Sequence, residues 1–374
     1  MKQLKGFFLI VILLLKFGLS AQEVNFSKEL LSKNDKDIQE IIELWENNIN
    51  DNIKGFVLKD KSIVAKHWNN DEVKRGWIDI AKDNISSTVP IYLYGETITF
   101  EILKKSNDLF EIRSLILQTD STSKNVLAIF KTCALRTDEG FKLSNSFYQN
   151  KKNLNSYSTK HLDFYFDSAY EFSNSIAIEA NEFYQKLTST YGINPINRIT
   201  YIVGSDLNIA NKLLGFEFSI RNGDSPFAAY FLSNQGIIVS SIINHRHEIT
   251  HSIFETAFPY VHRIFQEGIA TYYGGSSGNE YAYHKEKLKE FVSKNPVIEL
   301  SKIWSLEFND NVRKTNYFYS LGAVFIEMAL EKGGEKKVFE LFNHSSNDLK
   351  TVLNEVLEIS EENFNDKIKQ HLTK

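Results

Sequence analysis

The chain of 374 residues contains a single cysteine, Cys133, so no intrachain disulfide can form and the fold must rest on its core. Acidic and basic residues are interleaved, the formal net charge is -4, and no basic stripe appears, which excludes the electrostatic footprint of a nucleic-acid partner. No apolar run reaches the ~20 residues needed to cross a bilayer, so no transmembrane anchor is expected. Residues 7–15 come nearest, but Lys16 ends that run at about half the required length. Internal repeats and low-complexity tracts are absent as well.

The short apolar run has a different reading. Lys2 and Lys5 precede it and the small-residue stretch Gly18-Leu19-Ser20-Ala21-Gln22 follows it, the pattern of a secretory signal peptide. Residues 1–21 are therefore expected to be a leader, and the mature protein is expected to be exported, whether periplasmic, cell-surface or extracellular. No Cys follows the run, as lipid attachment would require. Cys133 itself sits in the apolar run 126–135, where a buried thiol is expected rather than a nucleophile.

With 42% hydrophobic and 13% aromatic residues, the mature chain can support two domains with full cores. A helical segment at 28–48 precedes apolar runs at 97–102, 109–118, 126–137 and 141–147, which are separated by Asn, Asp, Ser and Gly. This pattern predicts an antiparallel meander within an α+β accessory domain spanning 22–150, with Trp68 and Trp77 in its core. The Asn-rich stretch 149–156 reads as a linker. Beyond it, a strand at 161–166, a helix at 175–191 and a strand at 198–203 form a βαβ lead-in to a second domain, 156–374. Residues 228–232 and 237–240 flank Ser233-Asn234-Gln235-Gly236 as a hairpin, and from 285 onward the pattern is mostly helical, broken at Gly333-Gly334.

Chemistry concentrates in His247-Glu248-Ile249-Thr250-His251. Residues i and i+4 share a helix face, so His247 and His251 can offer imidazole nitrogens to one Zn²⁺ with Glu248 beside it. Two His and one carboxylate leave a fourth position open for water, and a neighbouring Glu can take that water's proton. Glu248 is the expected general base. Glu267 is the best third ligand, because it opens a run, 267–273, that reads as a second helix ending at Gly274-Gly275. The apolar stretch 237–243 fits a strand leading into the motif helix, and Ile249, Ile253 and Phe254 supply that helix with a buried flank.

These motifs, together with Arg263-Ile264-Phe265-Gln266-Glu267-Gly268-Ile269-Ala270-Thr271-Tyr272-Tyr273, resemble the gluzincin metallopeptidases of the peptidase MA-like type, which read HE(L/I)TH and then WLxEGxAxY. The resemblance covers mainly residues 200–342. It implies a zincin, thermolysin-like catalytic domain with a helical C-terminal subdomain, with His247, His251 and Glu267 as zinc ligands and Glu248 as the base. Ile264 or Phe265 stands where the family has Trp. The segment Tyr317-Phe318-Tyr319-Ser320-Leu321-Gly322 resembles the family's Tyr-containing helix. Tyr319 is the expected donor to the oxyanion, with Tyr317, Tyr272 and Tyr273 as alternatives.

Other zincin classes are excluded by position. Phe254 and Ala257 stand where a metzincin needs Gly and a third His, and no GxMxN segment lies upstream, which disfavours an aminopeptidase. The strand entering the motif helix is expected to lie along the cleft, where an extended peptide could add by main-chain hydrogen bonds. His245 is expected in a solvated or capping role and His262 on the surface, while His67, His161, His284, His344 and His371 lack partners at ligand spacing. The expected activity is hydrolysis of peptide bonds in a peptide or protein substrate. A non-catalytic zincin-fold binding protein and a zinc amidase acting on cell-wall peptides are the competing readings.

Overall fold

The structure is a computed structural model that describes residues 24–86, 89–119, 123–194, 197–220, 228–307 and 315–374. The leader expected at residues 1–21 lies outside them. The protein is a mixed α+β chain with two sheets, and it divides into two compact units, Met1–Asn153 with Asn211–Asn222, and Leu154–Ala210 with Gly223–Lys374. Among the described residues no helix is long and apolar enough to cross a membrane.

In the first unit, helix α1 (Lys36–Leu58) accompanies a sheet of order β1-β2-β3-β4-β5: Val24–Phe26, Glu96–Lys104, Leu109–Thr119, Lys124–Thr137 and Gly140–Asn145. The pairings β2 to β5 are antiparallel, as the meander pattern predicts. Helix α1 extends well past Asn48, where the sequence reading ends it. Asn48 and Asn52 are buried there and give their side-chain amides to the Asp79 carboxylate, at 3.2 and 2.9 Å, and Asn52 donates also to the Asn48 carbonyl one turn back at 3.0 Å, so both are satisfied within the helical conformation. Strand β9 (Phe216–Ser219), far along the chain, also belongs to this unit and pairs with β4 through Ala128, Ile129 and Phe130. Trp68 and Trp77 are buried, and burial pushes the Cys133 thiol up to about 12, which keeps it a protonated apolar side chain.

The second unit holds a five-stranded sheet of order β10-β11-β8-β7-β6, with β6 Asn155–Ser158, β7 Leu162–Phe166, β8 Ile199–Val203, β10 Ala229–Leu232 and β11 Ile237–Ser240. Strands β7 and β8 are parallel and joined through helix α2 (Asn174–Thr190), and β11 is parallel to β8. The hairpin β10–β11 forms where the sequence pattern places it, with Leu232 opposite Ile237. One expectation is corrected here. The strand entering the motif helix, β11, has neighbours on both sides and no free edge, because β8 pairs along it residue for residue; among the described residues β10 is the outermost strand on that side.

Helices follow the sheet: α3 (Arg246–Ala257), α4 (Arg263–Gly274), α5 (Tyr281–Lys294), α6 (Tyr317–Gly333), α7 (Glu335–Phe342), α8 (Leu349–Leu357) and α9 (Phe364–Leu372). One apolar core joins Phe164, Tyr201 and Ile238 of the sheet to Ile249 and Ile253 of α3 and Leu321 and Phe325 of α6. Burial of this kind is worth about 1.5–3 kcal/mol per large side chain and holds α3 against the sheet. Helix α6 is buried nearly all round rather than on a single stripe.

Candidate metal centre

Helix α3 carries the motif although residues His247 to Phe254 are all buried. Its hydroxyl groups are satisfied within the helix, since Thr250 Oγ1 donates to the Arg246 carbonyl at 2.8 Å and Ser252 Oγ to the Ile249 carbonyl at 2.7 Å. His245 is the N-cap, its Nδ1 accepting from the Glu248 amide at 3.4 Å, which is the capping role expected of it. The Tyr201 hydroxyl, from β8, donates to the Ile242 carbonyl at 2.8 Å and accepts from the His245 amide at 3.1 Å, so it anchors the turn that starts the helix. Helix α4 is likewise capped by a histidine, His262, whose Nδ1 accepts from the Ile264 amide at 3.2 Å.

Two close backbone approaches set these helices in register. An added Cβ at Gly274 would lie 2.3 Å from the His247 nitrogen, so only glycine lets the end of α4 press on the first turn of α3. Where α4 meets α6, a Cβ at Gly268 would lie 2.4 Å from the Gly322 carbonyl carbon, and one at Gly322 would lie 2.2 Å from the Ile264 oxygen. Gly268 follows Glu267 directly and Gly322 follows Tyr319 by three residues, so the crossing fixes both side chains.

The result is a cluster of three buried donors. His247 Nε2 and His251 Nε2 are 3.0 Å apart, and Glu267 Oε2 stands 3.4 Å from each. Each member has an outer contact. His247 Nδ1 is 2.7 Å from the Gly275 carbonyl oxygen, His251 Nδ1 is 3.0 Å from Glu255 Oε1, and Arg263 Nε is 3.4 Å from Glu267 Oε1. Glu248, buried, follows His247 on the same helix.

Burial, the largest single influence on both groups, opposes charge on His251 and Glu267. The facing opposite charges still outweigh it. Glu267 and then Glu255 hold the His251 imidazolium well above its ordinary range, and His251 and His247 hold the Glu267 carboxyl well below the usual carboxylate range. The cluster therefore favours a positive charge among its donor atoms.

Tyr319 lies with its ring 5.9 Å from that of His247, nearly parallel to it. The alternatives are engaged elsewhere: Tyr317 stacks on Phe291 at 4.2 Å, Tyr272 packs on Tyr281, and the Tyr273 hydroxyl is 2.9 Å from that of Tyr191. Glu255, Arg263 and the Gly275 carbonyl were not singled out from sequence. Glu255 was readable as the residue four after His251 and Arg263 as the residue four before Glu267, whereas the Gly275 contact needed the packing of α4.

His371, given no partner by its spacing, meets Glu327 Oε2 at 2.7 Å, with Glu331 one helical turn further on α6. Glu327 also accepts from Lys285 and from the Tyr281 hydroxyl, each at 2.8 Å, and Glu331 from Lys374 at 2.9 Å. Lysines neutralise this second group, which pins α9 to α6. A cavity of about 200 Å³ lies near the turn between α3 and α4, lined by Phe258, His262, Phe265, Phe342 and His344 among others, and no member of the donor cluster lines it. No protein-family model matches the chain, and comparison with curated proteins gives no match.

Proposed function

We propose that this chain is an exported zinc-dependent peptidase of the gluzincin, peptidase MA-like type, with a thermolysin-like zincin domain in its second unit. The observation that carries the reading is the spacing of the three donors, 3.0, 3.4 and 3.4 Å. A tetrahedral Zn²⁺ with bonds of about 2.0–2.1 Å separates its donors by about 3.3–3.4 Å. Glu267 Oε2, buried and without a hydrogen-bond partner in the protein, has the orphan character of a ligand atom. Two imidazoles and one carboxylate also match the donor set of a hydrolytic rather than a closed structural site. The outer contacts on His247 and His251 leave Nε2 of each ring turned toward the ion.

His247, His251 and Glu267 would hold the ion, which would supply a Lewis acid and make a nearby water more acidic. Glu248 accepts the proton of the attacking water and delivers it to the leaving nitrogen. Tyr319 donates a hydrogen bond to the carbonyl oxygen as negative charge develops on it. β10, the outermost strand on this side of the sheet among the described residues, lies where an extended substrate could add main-chain hydrogen bonds. Export rests on the leader pattern of residues 1–21.

Elemental analysis of the purified mature chain tests the reading, alongside cleavage of a peptide library with and without chelator. A single Zn²⁺ per chain is expected, lost together with cleavage in His251→Ala; a wild-type chain without zinc would overturn it. Tyr319→Phe is expected to lower kcat by about 10²–10³-fold with KM little changed, since the phenol acts only as the oxyanion forms. Steady-state kinetics of that variant would withdraw the role from Tyr319 if kcat were unaltered.

A further inference from the structure

We propose that Glu255 is a positioning residue for the metal centre, holding the His251 imidazole so that Nε2 faces the ion and strengthening that nitrogen as a donor. The inference rests on the reading of His247, His251 and Glu267 as metal ligands and adds a residue to it. Glu255 follows His251 by four residues on α3, which places both on one helix face. Its Oε1 stands 3.0 Å from His251 Nδ1, while the opposite nitrogen of the same ring faces His247 Nε2 at 3.0 Å and Glu267 Oε2 at 3.4 Å. His251 Nδ1 makes no hydrogen bond in the protein, so the nearby carboxylate acts through its charge, which favours the proton on Nδ1 and leaves the lone pair on Nε2.

The two imidazoles are held in different ways. His247 Nδ1 meets a neutral acceptor, the Gly275 carbonyl, at 2.7 Å. A carbonyl orients the ring but brings no charge. Glu255 does both, so a divalent ion is opposed by one negative charge in its ligand shell, from Glu267, and by a second just behind it. The Glu255 side chain is 28% exposed against 7% for His251, so it reaches the ring from the outer surface of the helix and can be replaced without opening the core. It touches no reacting atom, and its effect passes through His251.

The test is the zinc affinity of the full mature chain, measured by competition with a chromogenic chelator for wild type, Glu255→Ala and Glu255→Gln. Glu255→Ala is expected to bind zinc about 10–100-fold more weakly. Glu255→Gln should fall between the two, because its amide oxygen still turns a partial negative charge toward Nδ1 but carries no full charge. Far-ultraviolet circular dichroism of the metal-free proteins should be the same for all three, showing that each still folds. Wild-type affinity in Glu255→Ala overturns the proposal, and so does loss of the metal-free fold in that variant, which would assign Glu255 to packing. A wild-type chain that binds no zinc is a different result and overturns the metal-site reading itself.

Discussion

Replacing Glu248 with Gln is expected to lower kcat by about 10²–10⁴-fold while zinc content stays at the wild-type level. The substitution keeps the shape and burial of the side chain and removes only its capacity to take a proton. Glu248 is not one of the three clustered donors, which are His247, His251 and Glu267, so the site that holds the ion is left whole. Its place in the first turn of α3 suits a negative charge, because the helix N-terminus favours an anion there. Kinetics and elemental analysis on the same preparation separate the outcomes. Activity retained in Glu248→Gln would remove the general base from the mechanism, and zinc lost with activity would make Glu248 part of the binding site.

The second large effect is one of stability, and its sign is informative. Gly322→Ala in the interior of α6 would ordinarily stabilise a helix by about 1 kcal/mol, because alanine loses less backbone freedom on folding. Here the new Cβ would stand 2.2 Å from the Ile264 oxygen and 3.0 Å from the Gly268 Cα. Both are backbone atoms, with no flexible side chain to yield. The helices must separate, at a cost of roughly 3 kcal/mol, so overpacking outweighs propensity and the variant should be less stable by about 2 kcal/mol. Moving α6 away from α4 also shifts Tyr319 and Glu267 relative to each other, so kcat should fall together with the unfolding midpoint. Denaturant unfolding that found Gly322→Ala as stable as wild type would show that the crossing is looser than the distances state.

Local patterns were legible in the sequence wherever a residue's role depends on its near neighbours. The hairpin around Ser233-Asn234-Gln235-Gly236, the helix after Ser173, and the i, i+4 pair His247 and His251 belong to this class. Roles set by distant partners were not legible. The passage of α1 through Asn48 depends on Asp79, the loss of a free edge on β11 depends on β8, and the return of β9 to the first sheet depends on β4. His371 looked isolated because its partners, Glu327 and Glu331, lie some forty residues earlier on another helix. Glu255 is the instructive case, since its spacing from His251 was in plain view but only the 3.0 Å contact with Nδ1 gives that spacing a meaning.

The excursion of β9 bears on the order in which the protein can assemble as it is made. On one side β4 pairs with β3, but on the other it pairs with β5 through residues 132–137 and with β9 through residues 128–130, so that second edge of residues 128–130 stays unpaired until Ser219 has been synthesised. By then β6, β7, α2 and β8 of the second unit have already emerged. The first unit therefore cannot finish folding as an independent nascent domain. A protein cut after Asn153 would leave that stretch of β4 as an open, adhesive edge.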